Sequence, residues 1–76
     1  MPTKLAKSFG VALKETRKRR GLSLLALSVA SGVDKSYIWR LEKGEKNVSL
    51  QTVFLLAEAL GLQPAELVKL TAKYLD

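Results

Sequence analysis

The chain has 76 residues, 13 of them Lys or Arg against 7 Asp or Glu, for a formal net charge of +6. That length allows one small domain, and the positive excess, most of it before residue 41, favours an anionic partner. Cysteine and histidine are both absent, which removes disulfides, thiolate or imidazole metal sites and the usual nucleophile and base pairings, so neither a metal, a cofactor nor catalysis is expected.

Met1 to Thr3 reads as a frayed start. Lys4 to Arg20 follows as a first helix with Leu5, Phe9, Ala12, Leu13 and Thr16 on one side, and Gly21 ends it. The run Arg17 to Arg20 places cations where a helix C-terminus favours them, so a solvated face is its plain reading; a phosphate contact by Lys18, Arg19 or Arg20 is the functional one. Ser23 caps a second helix carrying Leu24, Leu27, Ala30 and Ser31, and Gly32 supplies the positive φ that a sharp helix exit needs. Asp34 caps a third helix almost at once, running from Lys35 to Glu42 and closed by Lys43 and Gly44. The polar stretch Glu45 to Val48 is a loop. Ser49 caps a fourth helix, Leu50 to Leu60, with Leu50, Val53, Phe54, Ala57 and Leu60 facing inward. Gln63 with Pro64 starts a fifth, striped by Leu67, Leu70, Thr71 and Tyr74 and widened by Val68 and Leu75. No strand alternation, linker or internal repeat interrupts this series, so the fold class is all-α.

Two short helices joined by a tight turn, Leu22 to Gly44, form the layout of a helix-turn-helix DNA reader. In the third helix Ile38 and Leu41 share one face with Tyr37 at its border, while Ser36, Trp39 and Lys43 fall opposite, flanked by Lys35 and Arg40. A face of cations, a hydroxyl, an indole and a guanidinium suits phosphate oxygens, purine acceptors and thymine methyls. The base-contacting candidates are therefore Lys35, Ser36, Trp39 and Arg40. Ser23, Tyr37, Lys43, Lys46 and Asn47 are the phosphate candidates, Tyr37 with its ring half buried and its hydroxyl free. Phe9 and Phe54 are expected in the core, and surplus apolar residues of the last two helices, Leu55, Leu56, Val68, Leu70 and Tyr74, are candidates for a dimer interface.

The runs GLS at 21 to 23, SGVDKSYI at 31 to 38, RLEKGEKNVSL at 40 to 50 and LAEALGLQPAEL at 56 to 67 resemble the Cro/C1-type (XRE-like) helix-turn-helix regulators. Within that family the chain looks like the short controller proteins of restriction-modification systems. The resemblance implies a five-helix, lambda repressor-like DNA-binding domain over residues 1–76, a homodimer made through the C-terminal helices, and an operator bound through the helix from Asp34 to Lys43. It also implies that Arg17 pairs with Glu42 and ties the first helix to the third. Two positions depart from the pattern. Leu24 stands where the family often has a Gln that braces the recognition helix and reaches a phosphate, and Ser28 stands where the family favours Ala, its hydroxyl able to bond back to its own helix.

Three functions are compatible with this sequence. The leading one is a transcriptional regulator bound to double-stranded operator DNA as a symmetric dimer, with RNA polymerase as a further partner. The second is a DNA-binding antitoxin holding a cognate small protein; it is suggested by Leu25 and Val29, four apart on the side of the second helix that the core does not obviously use. The third is a protein-interaction module, such as a coactivator bridge, whose basic face only solvates it. The sequence has no apolar run of transmembrane length and no signal-peptide pattern, so a cytoplasmic, nucleoid-associated protein without membrane contact is expected.

Overall fold

The computed structural model describes residues 3–75. Five helices follow one another: α1 (Lys4–Arg19), α2 (Leu24–Ser31), α3 (Lys35–Glu42), α4 (Leu50–Ala59) and α5 (Pro64–Lys73). Each start has a local chemical cause. The hydroxyls of Thr3, Ser23 and Ser49 accept the Ala6, Ala26 and Thr52 amides at 3.0, 3.0 and 3.1 Å, and the Asp34 carboxylate accepts that of Tyr37 at 3.2 Å. At α5 the Glu66 carboxylate reaches back 2.9 Å to the Gln63 amide, beside a proline at the first helical position. Of the expected frayed start, Met1 and Pro2 lie outside the described residues, whereas Thr3 is an ordered cap.

α1 packs against α3 and α5, α2 against α3 and α4, and α4 against α5. Between them lies one core built around Phe9, Leu13, Leu27, Ile38, Leu41, Leu56, Leu60 and Leu67, all at most 4% exposed. The turn between α2 and α3 is closed by Gly32 at φ 74°, a conformation that costs a residue with a Cβ. The Ser28 hydroxyl donates to the Val33 carbonyl at 2.6 Å and the Val33 amide donates to the Ser31 hydroxyl at 3.2 Å. Ser28 therefore bridges the turn and does not bond back to its own helix.

Several inward assignments shift. Leu5, Leu50 and Phe54 are 58%, 71% and 55% exposed, and Ala30 is exposed as well. In α4 the buried stripe is Val53, Leu56, Ala57 and Leu60, so the inward face is turned from the expected set by about half of one residue step, with Leu56 replacing Leu50 and Phe54. Leu56 is fully buried in its own domain and is not available to a partner.

At Gly10, buried in α1, the helix backbone lies directly against the C-terminal end of α3. A Cβ there would overlap the Leu41 carbonyl oxygen and stand 2.7 Å from that of Glu42, both of them backbone atoms that have little room to move. Gly10→Ala should therefore lower stability even though alanine favours a helix interior by about 1 kcal/mol over glycine. We expect a net loss of about 1 to 2 kcal/mol from forced separation of α1 and α3, read as a fall in thermal midpoint of roughly 4 to 8 °C per kcal/mol. A raised midpoint would contradict the close contact.

Candidate nucleic-acid interface

α3 is held from behind and open in front. Behind, Ile38 and Leu41 are fully buried. To one side the Glu42 carboxylate receives the Arg17 guanidinium as a fork, Nε to Oε2 at 2.7 Å and Nη2 to Oε1 at 3.0 Å, while Nη1 donates to the Leu22 carbonyl at 2.9 Å. Both side chains are nearly buried, and each has polar partners for its charge. Glu42 is thus structural, and the pairing implied by the family resemblance is present.

In front, Lys35, Ser36, Trp39 and Arg40 are all exposed, as is Lys43 at the C-terminal end. Residues 35, 39 and 42 run up one flank of the helix and 37 and 40 up the other, so Trp39 leans to the side of Arg17 and Arg40 to the side of the following loop. The Lys43 ammonium lies 4.3 Å from the centroid of the Trp39 ring and 3.9 Å from the Glu45 carboxylate. On the loop flank the Tyr37 hydroxyl donates to the Asn47 carbonyl over 3.4 Å. The expected half-buried ring is found, but the hydroxyl is not free: its one proton is engaged by the loop.

Lys46 and Asn47 are exposed beside α3. Asn47 is fixed twice, since its side-chain oxygen also accepts the Thr3 hydroxyl at 3.2 Å. Ser23 is exposed at the start of α2, with its hydroxyl oxygen accepting the Ala26 amide, a bond that does not use the hydroxyl proton. Thr3 escaped the sequence reading because a terminus was assumed to fray, although a threonine directly before a helical pattern is a cap signal. Leu24, where an amide would have braced α3, instead packs half-buried on the core.

The assembly candidates divide. Leu55 and Val68 are 36% and 53% exposed, Leu70 and Tyr74 are half-buried, and Leu56 is excluded by burial. Val68 shares an apolar depression with Leu5, Val48 and Val53, and Leu55 lines a second, half-polar one with Phe54, Leu62, Glu58 and Glu66. Phe54 and Leu50 were missed because α4 is apolar around most of its circumference, so the spacing alone admits more than one inward stripe.

A buried-backed helix that follows a tight turn and exposes cations, a hydroxyl and an indole defines a helix-turn-helix DNA-binding domain. Residues 13–67 match the family model described as Helix-turn-helix, and the chain belongs to this Cro/C1-type family of transcriptional regulators. It is 33% identical over 64 residues to the uncharacterised HTH-type transcriptional regulator y4dJ of Sinorhizobium fredii, covering 84% of this chain and 83% of that protein. It is 31% identical over 64 residues to the control protein C.BamHI of Bacillus amyloliquefaciens, covering 83% and 79%. The crystal structure of the restriction-modification controller protein C.AhdI from Aeromonas hydrophila superposes with a TM-score of 0.79 at 44% identity, covering 82% of this chain and 94% of that one. Among the described residues, no helix is long and apolar enough to cross a membrane.

The Arg17–Glu42 fork makes the orientation of α3 sensitive to either partner. Glu42→Ala leaves a nearly buried guanidinium without its carboxylate and should cost about 3 kcal/mol or more, whereas the joint change Arg17→Met with Glu42→Leu should recover much of that loss. Chemical denaturation of the single and double variants measures both. Equal losses in the two would show that the pair contributes shape and not charge compensation.

Proposed function

We propose that this regulator binds double-stranded operator DNA as a homodimer and belongs to the control apparatus of a restriction-modification system. The main support is the exposed arc of α3, where Lys35, Ser36, Trp39 and Arg40 stand together over a fully buried Ile38 and Leu41. An α-helix fits the major groove, and these side chains supply donors and an apolar surface for base edges. Lys43, Lys46 and Asn47 flank the arc as phosphate contacts, with Ser23 and Tyr37 as further ones. Tyr37 would give up its long bond to the Asn47 carbonyl on meeting a phosphate. The likeness to C.BamHI and C.AhdI supports the restriction-modification setting. Such a protein works in the cytoplasm, at the nucleoid, beside RNA polymerase.

The domain over residues 1–76 assembles through the outer faces of α4 and α5 in this reading, with Leu50, Phe54, Leu55 and Val68 leading and Leu70 and Tyr74 at the margin. Two recognition helices related by a dyad then meet half-sites spaced by about 10 base pairs or a multiple. A second reading, an operator-binding antitoxin, is favoured by Leu25 and Val29, which are 60% and 77% exposed on α2. Copurification of a small protein that is lost on Leu25→Ser with Val29→Ser separates it from the first.

Sedimentation at micromolar protein should give the dimer mass, and Phe54→Asp should give the monomer with its helix content intact. A wild-type monomer that still binds its operator tightly would refute the assembly.

Arg40 and Lys46 carry the same charge but should fail differently. Arg40 has a planar fork that can pair with guanine O6 and N7, so Arg40→Ala should cost about 1 to 3 kcal/mol at the operator and flatten discrimination at one base position. Lys46→Ala should weaken operator and scrambled duplex by similar factors and reduce the log–log salt slope by about one. Anisotropy titrations of both variants across a salt series decide the matter. If Arg40→Ala lowers both affinities equally with base preference kept, Arg40 is a backbone contact.

A further inference from the structure

We propose that Trp39 reads the C5 methyl group of a thymine in the major groove, with Lys43 as the residue that positions the indole. The inference rests on the operator-binding reading above. Of the exposed α3 residues Lys35, Ser36, Trp39 and Arg40, Trp39 alone is apolar, and it remains 47% open to solvent. A domain of this size gains most by covering a side chain as large as an indole, so leaving it on the polar arc is a cost that packing does not explain.

Base edges in the major groove present hydrogen-bond donors, acceptors and one apolar feature, the thymine methyl. Lys35, Ser36 and Arg40 match the polar features, and the indole matches the methyl. The ring is also held in place. Lys43, one turn further along, sits with its ammonium 4.3 Å from the ring centroid and is itself drawn to the Glu45 carboxylate at 3.9 Å. That contact covers part of the indole and leaves the rest of its surface for a base edge. Because 5-methylcytosine carries its methyl at the same ring position, the site accepts that base as a partial substitute for thymine.

The test uses the full chain and the operator defined by footprinting, with each thymine replaced in turn by deoxyuridine, which removes the methyl and nothing else. Wild-type protein should lose about fourfold in affinity at one thymine of each half-site, the value of one buried methyl-sized group. Trp39→Ala should bind thymine and uracil operators equally, and Trp39→Phe should keep part of the ratio. Lys43→Ala should also reduce the thymine-to-uracil ratio, an effect that loss of a phosphate contact alone does not produce. At the responsive position a 5-methylcytosine·guanine pair should bind better than cytosine·guanine by a similar factor. If wild-type protein binds its operator specifically yet ignores every uracil replacement, the methyl-reading role is wrong and operator binding stands. If no duplex is bound specifically at all, both readings fall.

Discussion

The orientation of α3 depends on one side chain more than on any other. Arg17 leaves α1 near its end, gives two hydrogen bonds to Glu42 at the end of α3 and a third to the Leu22 carbonyl in the connection to α2. A single planar guanidinium therefore joins three segments, and its geometry tolerates little rotation of any of them. Gly10 acts from the same helix by a different force. It lets the α1 backbone lie against the Leu41 and Glu42 carbonyls, which sets the depth of the contact while the ion pair sets its direction.

α1 also holds the far side of the interface. Its capping residue Thr3 donates to the Asn47 side chain, and the Asn47 carbonyl in turn receives Tyr37 from α3. The loop bearing Lys46 is thus tied at one residue to both helices. Near the turn after α3, the Gly44 backbone at φ 74° lies so close to Lys7 that a Cβ would stand 2.9 Å from the Lys7 Cα. A surface whose supports are already ordered loses less entropy on meeting a ligand, which is how rigid scaffolding on the inner side becomes affinity on the outer side. At α5 the Ser8 hydroxyl lies 3.0 Å from both the Lys4 and the Tyr74 carbonyl oxygens, so α1 is fixed at its other face too.

Much of this was legible in the sequence because it is local. Ser23, Gly32, Asp34, Ser49 and Pro64 announce helix starts and a stop through chemistry that acts within four residues, and those boundaries fall where the signals put them; α5, which has no stop signal, ends at Lys73, short of the expected stripe residue Leu75. The exposed arc of α3 follows from a short helix with two strongly apolar positions, Ile38 and Leu41, which leave one choice of inner face. In α4 the pattern offers no such choice: Val53, Ala57 and Leu60 are compatible with either Leu50 and Phe54 or Leu56 as the remaining inward residues, and only contact with α2 and α5 selects Leu56. Gly10 and Thr3 act on partners more than thirty positions away, and neither has a spacing that betrays it. The Arg17–Glu42 pair was visible through family resemblance and not through periodicity, since two opposite charges 25 positions apart carry no signal of contact by themselves.

The placement of charge bears on how copies of a strongly basic chain can meet. Two subunits of formal charge +6 repel, and the repulsion is greatest where the cations are densest, along α1 and α3. The segment from α4 through α5 carries Glu58, Glu66, Lys69 and Lys73, whose charges cancel, and it exposes Leu50, Phe54, Leu55 and Val68. Apolar surface and electrical neutrality therefore coincide on α4 and α5. In the proposed dimer this face can be buried without bringing the basic helices together, and the positive surface of each subunit stays free to meet phosphate, whose charge then removes the remaining repulsion between the two.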